Sequence, residues 1–360
     1  LVVVTGQVPR PAIGTDAFQE TDIFGITLPI VKHSWVIRDP ADIAKTVSEA
    51  FFIASSGRPG PVLIDIPKDV GQEYFNYERV LPGEIIPKGF KRNGGINDND
   101  VKKAVELIEN SERPLLYVGG GAISSGAHDD IAILAKNHQI PVTTTLMGKG
   151  AFDEKHNLSV GMLGMHGTAY ANFAVTECDL LIAIGARFDD RVTGKLDTFA
   201  PNAKVIHIDI DPAEVNKNRR VDVAIVSDVA KAVSKINEHL LNKTFSNTKN
   251  WLEKINFWKD KHPLFTPPEE GEIYPQEVLL KVRNISPEAY VTTDVGQHQM
   301  WAAQYLRNSP RKWISSAGLG TMGFGLPAAI GVKAALPNSE VICIAGDASV
   351  LMNIQELGTL

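Results

Sequence analysis

Asp347 is the residue most open to chemical use. It follows the apolar run Val341 to Ala345 and Gly346, and precedes ASVLMNIQEL, a segment with helical spacing. A carboxylate at a strand end, beside the free N–H groups of a helix, suits Mg²⁺ bridging to a diphosphate. Mg²⁺ prefers hard oxygens and typically takes one or two carboxylates plus phosphate oxygens. The same acid could equally cap the helix, with Ser349 as another capping residue, and spacing alone does not choose.

The middle of the chain holds a second set. LLYVGGGAISSG runs a strand into Gly119, Gly120 and Gly121, where glycines let the backbone approach a phosphate at a helix N-terminus. The spacing is not the full dinucleotide fingerprint, and a tight structural turn looks the same. LLIAIGARFDDRVTG ends in Gly185 followed by Arg187, Asp189, Asp190 and Arg191, and VIHIDID ends in Asp209 and Asp211. An acid after such a strand commonly bonds a ribose hydroxyl. Three strand ends of this kind suggest a nucleotide; a surface ion-pair network is the plain alternative. His166, in GMLGMHGTAYAN, suits the same crevice or a structural role, whereas His207 lies within a strand and reads as structural.

The elements that must position these residues are legible as runs. PVLIDIP, PLLYVGGG, IPVTTTL, DLLIAIG, AKVIHIDID, VAIVSD, AYVTTDVG and EVICIAGD are apolar and mostly separated by helical patterns. Near-continuous apolar strands alternating with helices mean parallel sheets covered on both faces. The fold class is therefore α/β. Polar, Pro- and Gly-bearing stretches near 77–100 and 242–275 break the pattern, which predicts three blocks at 1–80, 95–240 and 270–360.

A chain of 360 residues with 44% hydrophobic content supports several cores. Its net charge of -6 is mild and its 36 basic residues are scattered, which argues against nucleic acid or an anionic membrane as the main partner. Cys178 and Cys343 are the only cysteines, each in an apolar segment, so a reducing compartment and buried thiols are expected. Leu1 opens an apolar run, LVVVTGQV, too short for a membrane span, and NIQELGTL closes the sequence within a periodic helix. Both ends read as interior, and a fragment of a longer protein is expected.

GDASVLMNIQEL is similar to the thiamine-diphosphate motif that opens Gly-Asp-Gly. TGQVPRPAIGTDAFQET, SGRPGPVLIDIPKD, LMGKGAF, GMLGMHGT, ARFDDRVTGKL, HIDIDPAE, DVGQHQMWAAQ and GLGTMGFGLPAAIG resemble, in order and over essentially the whole chain, the biosynthetic acetolactate (acetohydroxyacid) synthase catalytic subunits, in a cyanobacterial or plastid-like form. The resemblance implies three doubly wound parallel-sheet domains. These are the back part of a pyrimidine-binding domain (1–80), a central FAD-binding domain (95–240) and the front part of a diphosphate-binding domain (270–360). It implies decarboxylation of pyruvate on thiamine diphosphate and carboligation to a second pyruvate or to 2-oxobutyrate, at the entry to branched-chain amino-acid biosynthesis. The cofactors implied are thiamine diphosphate, Mg²⁺ and FAD.

Carried over by position, the resemblance makes Asp347 the Mg²⁺ ligand. It makes Val295, Gly296, Gln297, His298, Gly320, Met322, Ala348 and Ser349 further thiamine-diphosphate contacts. Arg58, Gly119 to Gly121, Met147, Met165, His166, Gly185, Arg187, Asp189, Arg191, Asp209, Ile210 and Asp228 become flavin contacts. Gln7, Pro9, Phe18, Gln19 and Lys68 become the lining of a substrate channel. On residue type alone, Lys68 after VLIDIP could draw a 2-keto acid carboxylate or be an ordinary exposed lysine, and Met322 could support a bent cofactor or be core. A homodimer or homotetramer, a small regulatory subunit and a cytoplasmic or plastid-stroma location are also implied. Ala348 stands where the motif usually has Gly, which is harmless at negative φ and strained at positive φ. The family's acid/base glutamate and its Asn pair would lie before Leu1 and beyond Leu360, so the chain by itself is expected to be inactive. Alternatives are another thiamine-diphosphate enzyme (glyoxylate carboligase, pyruvate oxidase or the flavin-free acetolactate synthase) or a noncatalytic nucleotide-binding module.

Overall fold

The computed structural model describes residues 1–80, 85–87, 89–90, 95–241, 243, 248–264 and 271–360. Parts of the two polar stretches, 77–100 and 242–275, lie outside them. The chain divides into two compact units, Leu1–Gly94 and Gly95–Leu360.

The first unit is a parallel three-stranded sheet, β1 (Val2–Gln7), β2 (Ser34–Val36) and β3 (Val62–Pro67), in the order β1-β3-β2. Helices α1 (Ile23–Thr27) and α2 (Ile43–Ser55) connect it. Val62, Ile64, Ala50, Ala54 and Ile37 form its small core. The register runs from Val2↔Val62 to Gln7↔Pro67, so Gln7 and Lys68 arrive at one carboxyl edge. There the Lys68 N–H donates to the Gln7 carbonyl at 3.0 Å.

The second unit opens with α3 (Asp98–Glu109), whose Asn97 side chain caps it by accepting from Asn99 N at 3.0 Å. Val101, Ala104, Val105 and Ile108 are its buried face, the i, i+3, i+4, i+7 spacing of an amphipathic helix. There follow β4 (Pro114–Val118), α4 (Gly120–Ser125), α5 (His128–His138), β5 (Val142–Thr144), β6 (Ser159–Met162), α6 (Ala169–Glu177), β7 (Leu180–Ile184), α7 (Asp190–Thr193), β8 (Lys204–Asp209), β9 (Val223–Val226) and α8 (Val229–Leu240). The six strands are parallel in the order β6-β5-β4-β7-β8-β9. The strand direction of winding reverses between β4 and β7, where open α/β sheets place ligands. Alternate residues serve two cores: Leu116, Val118, Ile182 and Ile184 face one, and Leu115, Tyr117, Leu181 and Ala183 face the other. Burial on both sides is what their unbroken apolar runs require.

After α9 (Lys249–Lys261) and α10 (Pro275–Ile285), a third parallel sheet comprises β10 (Tyr290–Thr293), β11 (Trp313–Ser315) and β12 (Val341–Ile344), ordered β11-β10-β12. It is interleaved with α11 (Gln297–Tyr305), α12 (Gly325–Ala335) and α13 (Asp347–Leu351).

The structure departs from the sequence reading in four places. The 242–275 stretch is no simple break, because α9 buries Trp251, Ile255 and Trp258, and the Trp251 indole N–H donates to the Pro114 carbonyl at 3.1 Å. Strands β2, β6 and β11 are additional. The closing periodic helix is only α13 followed by a 3-10 turn, Ile354–Gly358. Cys178 is fully buried as expected, with its thiol pushed up to about 12 by burial, whereas Cys343 is only partly buried.

Candidate functional site

Three neighbouring strand ends in the second unit deliver the residues around Asp347. Thr293 of β10 lies opposite Ser315 of β11 on one side and Ile344 of β12 on the other. The segments that follow, 294–298, 316–322 and 346–349, therefore emerge side by side, and the winding reverses at β10. His298 packs against two of these turns: a Cβ on Gly296 would stand 2.9 Å from its ring, and one on Gly346 3.1 Å. Burial holds the His298 imidazole below its usual range, against the pull of the Asp294 carboxylate, and its Nε2 is buried with no partner.

Asp347 is exposed and opens α13; its Oδ1 accepts the Ala348 N–H at 2.8 Å. The cap itself is Gly346, whose N–H donates to Ser349 Oγ at 3.0 Å while that hydroxyl donates back to the Gly346 carbonyl at 3.1 Å. Ser349 is thus a buried structural partner. Ala348 lies within α13 and is absent from the positive-φ residues, so its methyl costs no backbone strain.

Leu319 and Met322 are 90% and 42% exposed on the glycine-rich turn between β11 and α12. Gly320 has φ +68°, which favours glycine there. Exposed apolar groups, an orphaned imidazole nitrogen and a solvent-facing carboxylate form a donor set that fits an aromatic cofactor with a metal-bound diphosphate. No group of three or more His, Cys, Asp or Glu residues able to hold a metal occurs among the described residues. A hard cation held by a carboxylate such as Asp347 typically takes phosphate oxygens as well.

Sequence reasoning missed Asp294. It is 1% exposed, and its carboxylate accepts the backbone N–H groups of Val295 (2.8 Å), Gly323 (3.0 Å) and Gly325 (2.8 Å). The signal was present, since Asp294 ends the apolar run AYVTT much as Asp209 and Asp347 end theirs.

The second group gathers where β4 and β7 end. Gly119 N donates to the Ile184 carbonyl and Gly121 N to the Gly185 carbonyl, both at 2.9 Å. A Cβ on Gly121 would lie 2.7 Å from Gly185 Cα. Gly119 and Gly121 are thus required by the approach of two protein backbones, whatever ligand lies above. Gly120 faces the Met147 Cβ, and Gly185 has φ +56°. Met147 and Met165 are exposed, and Met165 Sδ lies 3.9 Å from an Arg191 terminal nitrogen. Arg187 pairs with Asp189 at 3.3 Å and Arg191 with Asp190 at 3.7 Å. Asp189 also caps α7, accepting from Arg191 N at 2.9 Å. Asp209 is nearly buried and accepts from Asp211 N at 2.9 Å, with Ile210 between them. Asp228 caps α8 through Lys231 N at 3.2 Å. His166 is exposed, and its carbonyl accepts from Gln304 Nε2 at 2.8 Å. His207 is fully buried; its Nε2 bonds the Ala186 carbonyl at 3.0 Å, in line with a structural role. Open thioethers and guanidinium groups at a doubly wound switch point fit a flavin nucleotide.

The remaining residues lie in the first unit. Gln7 Nε2 donates to the Thr21 carbonyl (2.8 Å) and Asp65 Oδ2 (3.1 Å), with Lys68 adjoining. Phe18 is 89% exposed and Gln19 has φ +62°, both in the turn that Thr21 closes. Backbone N–H groups of Gly14 and Ala17 hold the Glu20 carboxyl of this turn below its usual range. Pro9 follows β1, and Arg58 lies just beyond α2.

Residues 101–236 match the family described as "Thiamine pyrophosphate enzyme, central domain". Residues 294–360 match "Thiamine pyrophosphate enzyme, C-terminal TPP binding domain", which spans all three strand ends around Asp347. The chain belongs to the thiamine pyrophosphate enzymes. It is 70% identical to the acetolactate synthase large subunit of Parasynechococcus marenigrum (strain WH8102), over all of this chain and 58% of that protein. The large subunit of Porphyra purpurea is 58% identical over the whole chain and 62% of its own length. The acetolactate synthase of Arthrospira platensis is 56% identical over the whole chain and 63% of its own length. The chain thus spans about three-fifths of these relatives.

Proposed function

We propose that this chain is part of an acetolactate synthase. The enzyme would decarboxylate pyruvate and join the two-carbon unit to a second pyruvate, giving 2-acetolactate, or to 2-oxobutyrate, giving 2-aceto-2-hydroxybutyrate. The observation that carries the reading is the convergence of Val295 to His298, Gly320 to Met322 and Asp347 at adjacent ends of β10, β11 and β12. It occurs in a chain matched along its whole length by synthases of this name.

Thiamine diphosphate, when bound, supplies the carbon nucleophile and electron sink that 2-keto acid decarboxylation needs. Asp347 would hold Mg²⁺ against its diphosphate, and Met322 would support the ring system. Lys68 would draw the substrate carboxylate, with Gln7, Pro9, Phe18 and Gln19 along the same channel. FAD would lie over the β4 and β7 ends, bounded by Gly119 to Gly121, Met147, Met165, His166, Gly185, Arg187, Asp189, Arg191, Asp209, Ile210 and Asp228. Blocks 1–80, 95–240 and 270–360 would be the pyrimidine, flavin and diphosphate domains. The whole protein would be a homodimer or homotetramer with a small regulatory subunit, serving branched-chain amino-acid synthesis in a cytoplasm or plastid stroma. No helix among the described residues is long and apolar enough to cross a membrane.

The test incubates the full-length natural protein with pyruvate, Mg²⁺ and thiamine diphosphate, with and without FAD. Acetolactate that depends on FAD, without peroxide, is expected; peroxide or acetyl phosphate would indicate an oxidase instead. Asp347→Ala should abolish Mg²⁺-dependent thiamine-diphosphate binding in a calorimetric titration, and retained binding would overturn the assignment of Asp347.

A further inference from the structure

The turn at 316–325 has no regular element before Gly325, the first residue of α12, yet it carries Met322. A methionine side chain has three rotatable bonds and little preference of its own, so the height of Met322 must be set by its backbone. Three polar side chains outside the turn reach that backbone. Gln299, 2% exposed, donates through Nε2 to the Ser316 carbonyl at 3.0 Å, and Ser316 Oγ accepts the Thr321 N–H at 3.0 Å. At the far end the Asp294 carboxylate accepts Gly323 N–H on Oδ1 and Gly325 N–H on Oδ2. The carbonyl of the same Gly323 accepts Asn353 Nδ2 at 2.6 Å.

Gly323 is therefore gripped on both sides of one residue. Its φ is +87°, and a Cβ there would stand 2.6 Å from Asn353 Nδ2 and 3.2 Å from Met352 Cβ. We propose that Asp294 and Asn353 are positioning residues that clamp Gly323 and so fix Met322 relative to Asp347 and His298. Asn353 follows α13 and ties the turn to the segment that opens with Asp347. Asp294 ties the same turn to the segment ending in His298. The hydrogen bonds to the Asp294 carboxylate given above come from backbone N–H groups, two of them from the turn. A carboxylate this buried is costly without them, so the order of the turn and the burial of Asp294 sustain each other.

The clamp stands on these contacts alone; its consequence for affinity rests on the thiamine-diphosphate reading. Asp294→Asn must lose part of the clamp in either amide orientation. If the oxygen serves Val295 and Gly323, the amide NH₂ faces the Gly325 N–H, donor against donor; if the oxygen serves Gly325, the other two donors are stranded. Asn353→Ala removes the grip on the Gly323 carbonyl and an exposed 3.3 Å hydrogen bond from Gln355 Nε2, and is the gentler variant.

The experiment uses the full-length natural protein. Amide hydrogen exchange is followed across 316–325 without cofactor, and thiamine diphosphate is titrated at fixed, saturating Mg²⁺. Both variants should exchange faster across 316–325 while β4 and β7 stay protected. The Kd for thiamine diphosphate should rise about ten- to a hundredfold in Asp294→Asn, the range for losing hydrogen bonds to a charged group, and about two- to tenfold in Asn353→Ala, which loses a neutral one. In a double-mutant cycle with Met322→Ala, the effect of Asn353→Ala on Kd should largely vanish, because it acts through Met322. Unchanged exchange in both variants overturns the clamp, and strictly additive Kd effects overturn its action through Met322. A parent protein that binds no thiamine diphosphate refutes the cofactor reading, while the exchange measurement still decides the clamp.

Discussion

Replacing Lys149 with methionine isolates one buried charge pair. Lys149 is 4% exposed, its Nζ lies 2.7 Å from Glu154 Oε1, and the Glu154 side chain is itself only 11% exposed. Glu154 Oε2 accepts the Asn308 N–H at 3.2 Å, and the Glu154 carbonyl accepts from Arg307 at 3.1 Å. The loop thus fastens the central sheet's connections to the segment between α11 and β11. Removing the ammonium leaves the carboxylate with one N–H donor and the electrostatic pull of Arg283 alone, and breaking a buried pair on one side costs about 3–5 kcal/mol. At roughly 2–4 °C per kcal/mol for a unit of this size, melting should fall by about 6–20 °C. Adding Glu154→Gln removes the stranded charge and keeps an oxygen for Asn308 N–H, so the double variant should recover to within about 2 kcal/mol of the parent. Thermal melts followed by circular dichroism at pH 7 read both. A single variant that melts with the parent, or a double variant no better than the single, would refute the argument that an uncompensated charge sets the cost.

Gly185→Ala should destabilise far more than Gly126→Ala. Both have positive φ, +56° and +72°, but a Cβ at 185 meets Ala122 N and Gly121 Cα at 2.7 Å, whereas nothing lies within 4 Å at 126. Overpacking adds about 1–3 kcal/mol to the shared backbone strain, and equal urea midpoints would contradict this. Stability should also fall as pH drops below about 6.5, the ordinary histidine value. Burial holds His207 and His138 below that value in the fold, so the unfolded chain binds more protons in that window and is favoured by acid. His207→Gln, which keeps a donor for the Ala186 carbonyl, should flatten the slope of stability between pH 5 and 6.5 by at most about 1.4 kcal/mol per pH unit; an unchanged slope would remove His207 from the account.

Long apolar runs made nine strands visible, because most of them are covered on both faces and the few polar residues they bury, such as Thr143, His207 and Thr292, are hydrogen-bonded. The strands that escaped notice are short: SWV, SVGM and WIS. Three or four residues cannot display a period, and these strands exist because a longer neighbour offers a ladder. Helix α9 was hidden for the opposite reason. Charges dominate KNWLEKINFWKDK, yet Trp251, Ile255 and Trp258 keep the i, i+4, i+7 spacing that buries one stripe. The glycines after β4 were conspicuous in sequence, but their duty to Gly185 depends on which strand becomes the neighbour of β4, and local spacing does not encode that.

Three aspartates end three apolar strands and look alike in sequence, and their roles diverge because of the donors each strand end presents. Asp209, which closes β8, accepts the N–H of Asp211 two residues on and lies 3.9 Å from His207 Nε2 of its own strand. Asp294, after β10 in the middle of its sheet, is flanked by neighbours on both sides, so backbone from the following turn reaches it and its carboxylate is consumed by structure. Asp347, which follows β12, has Ser349 performing the capping work beside it. Its carboxylate therefore stays exposed. The backbone donors within reach of each strand end thus sort one residue type into a holder of backbone and a candidate holder of metal. The same logic makes Asp294→Asn a lesion of the turn and Asp347→Ala a lesion of ligand binding, a separation that hydrogen exchange and titration on the two variants would display directly.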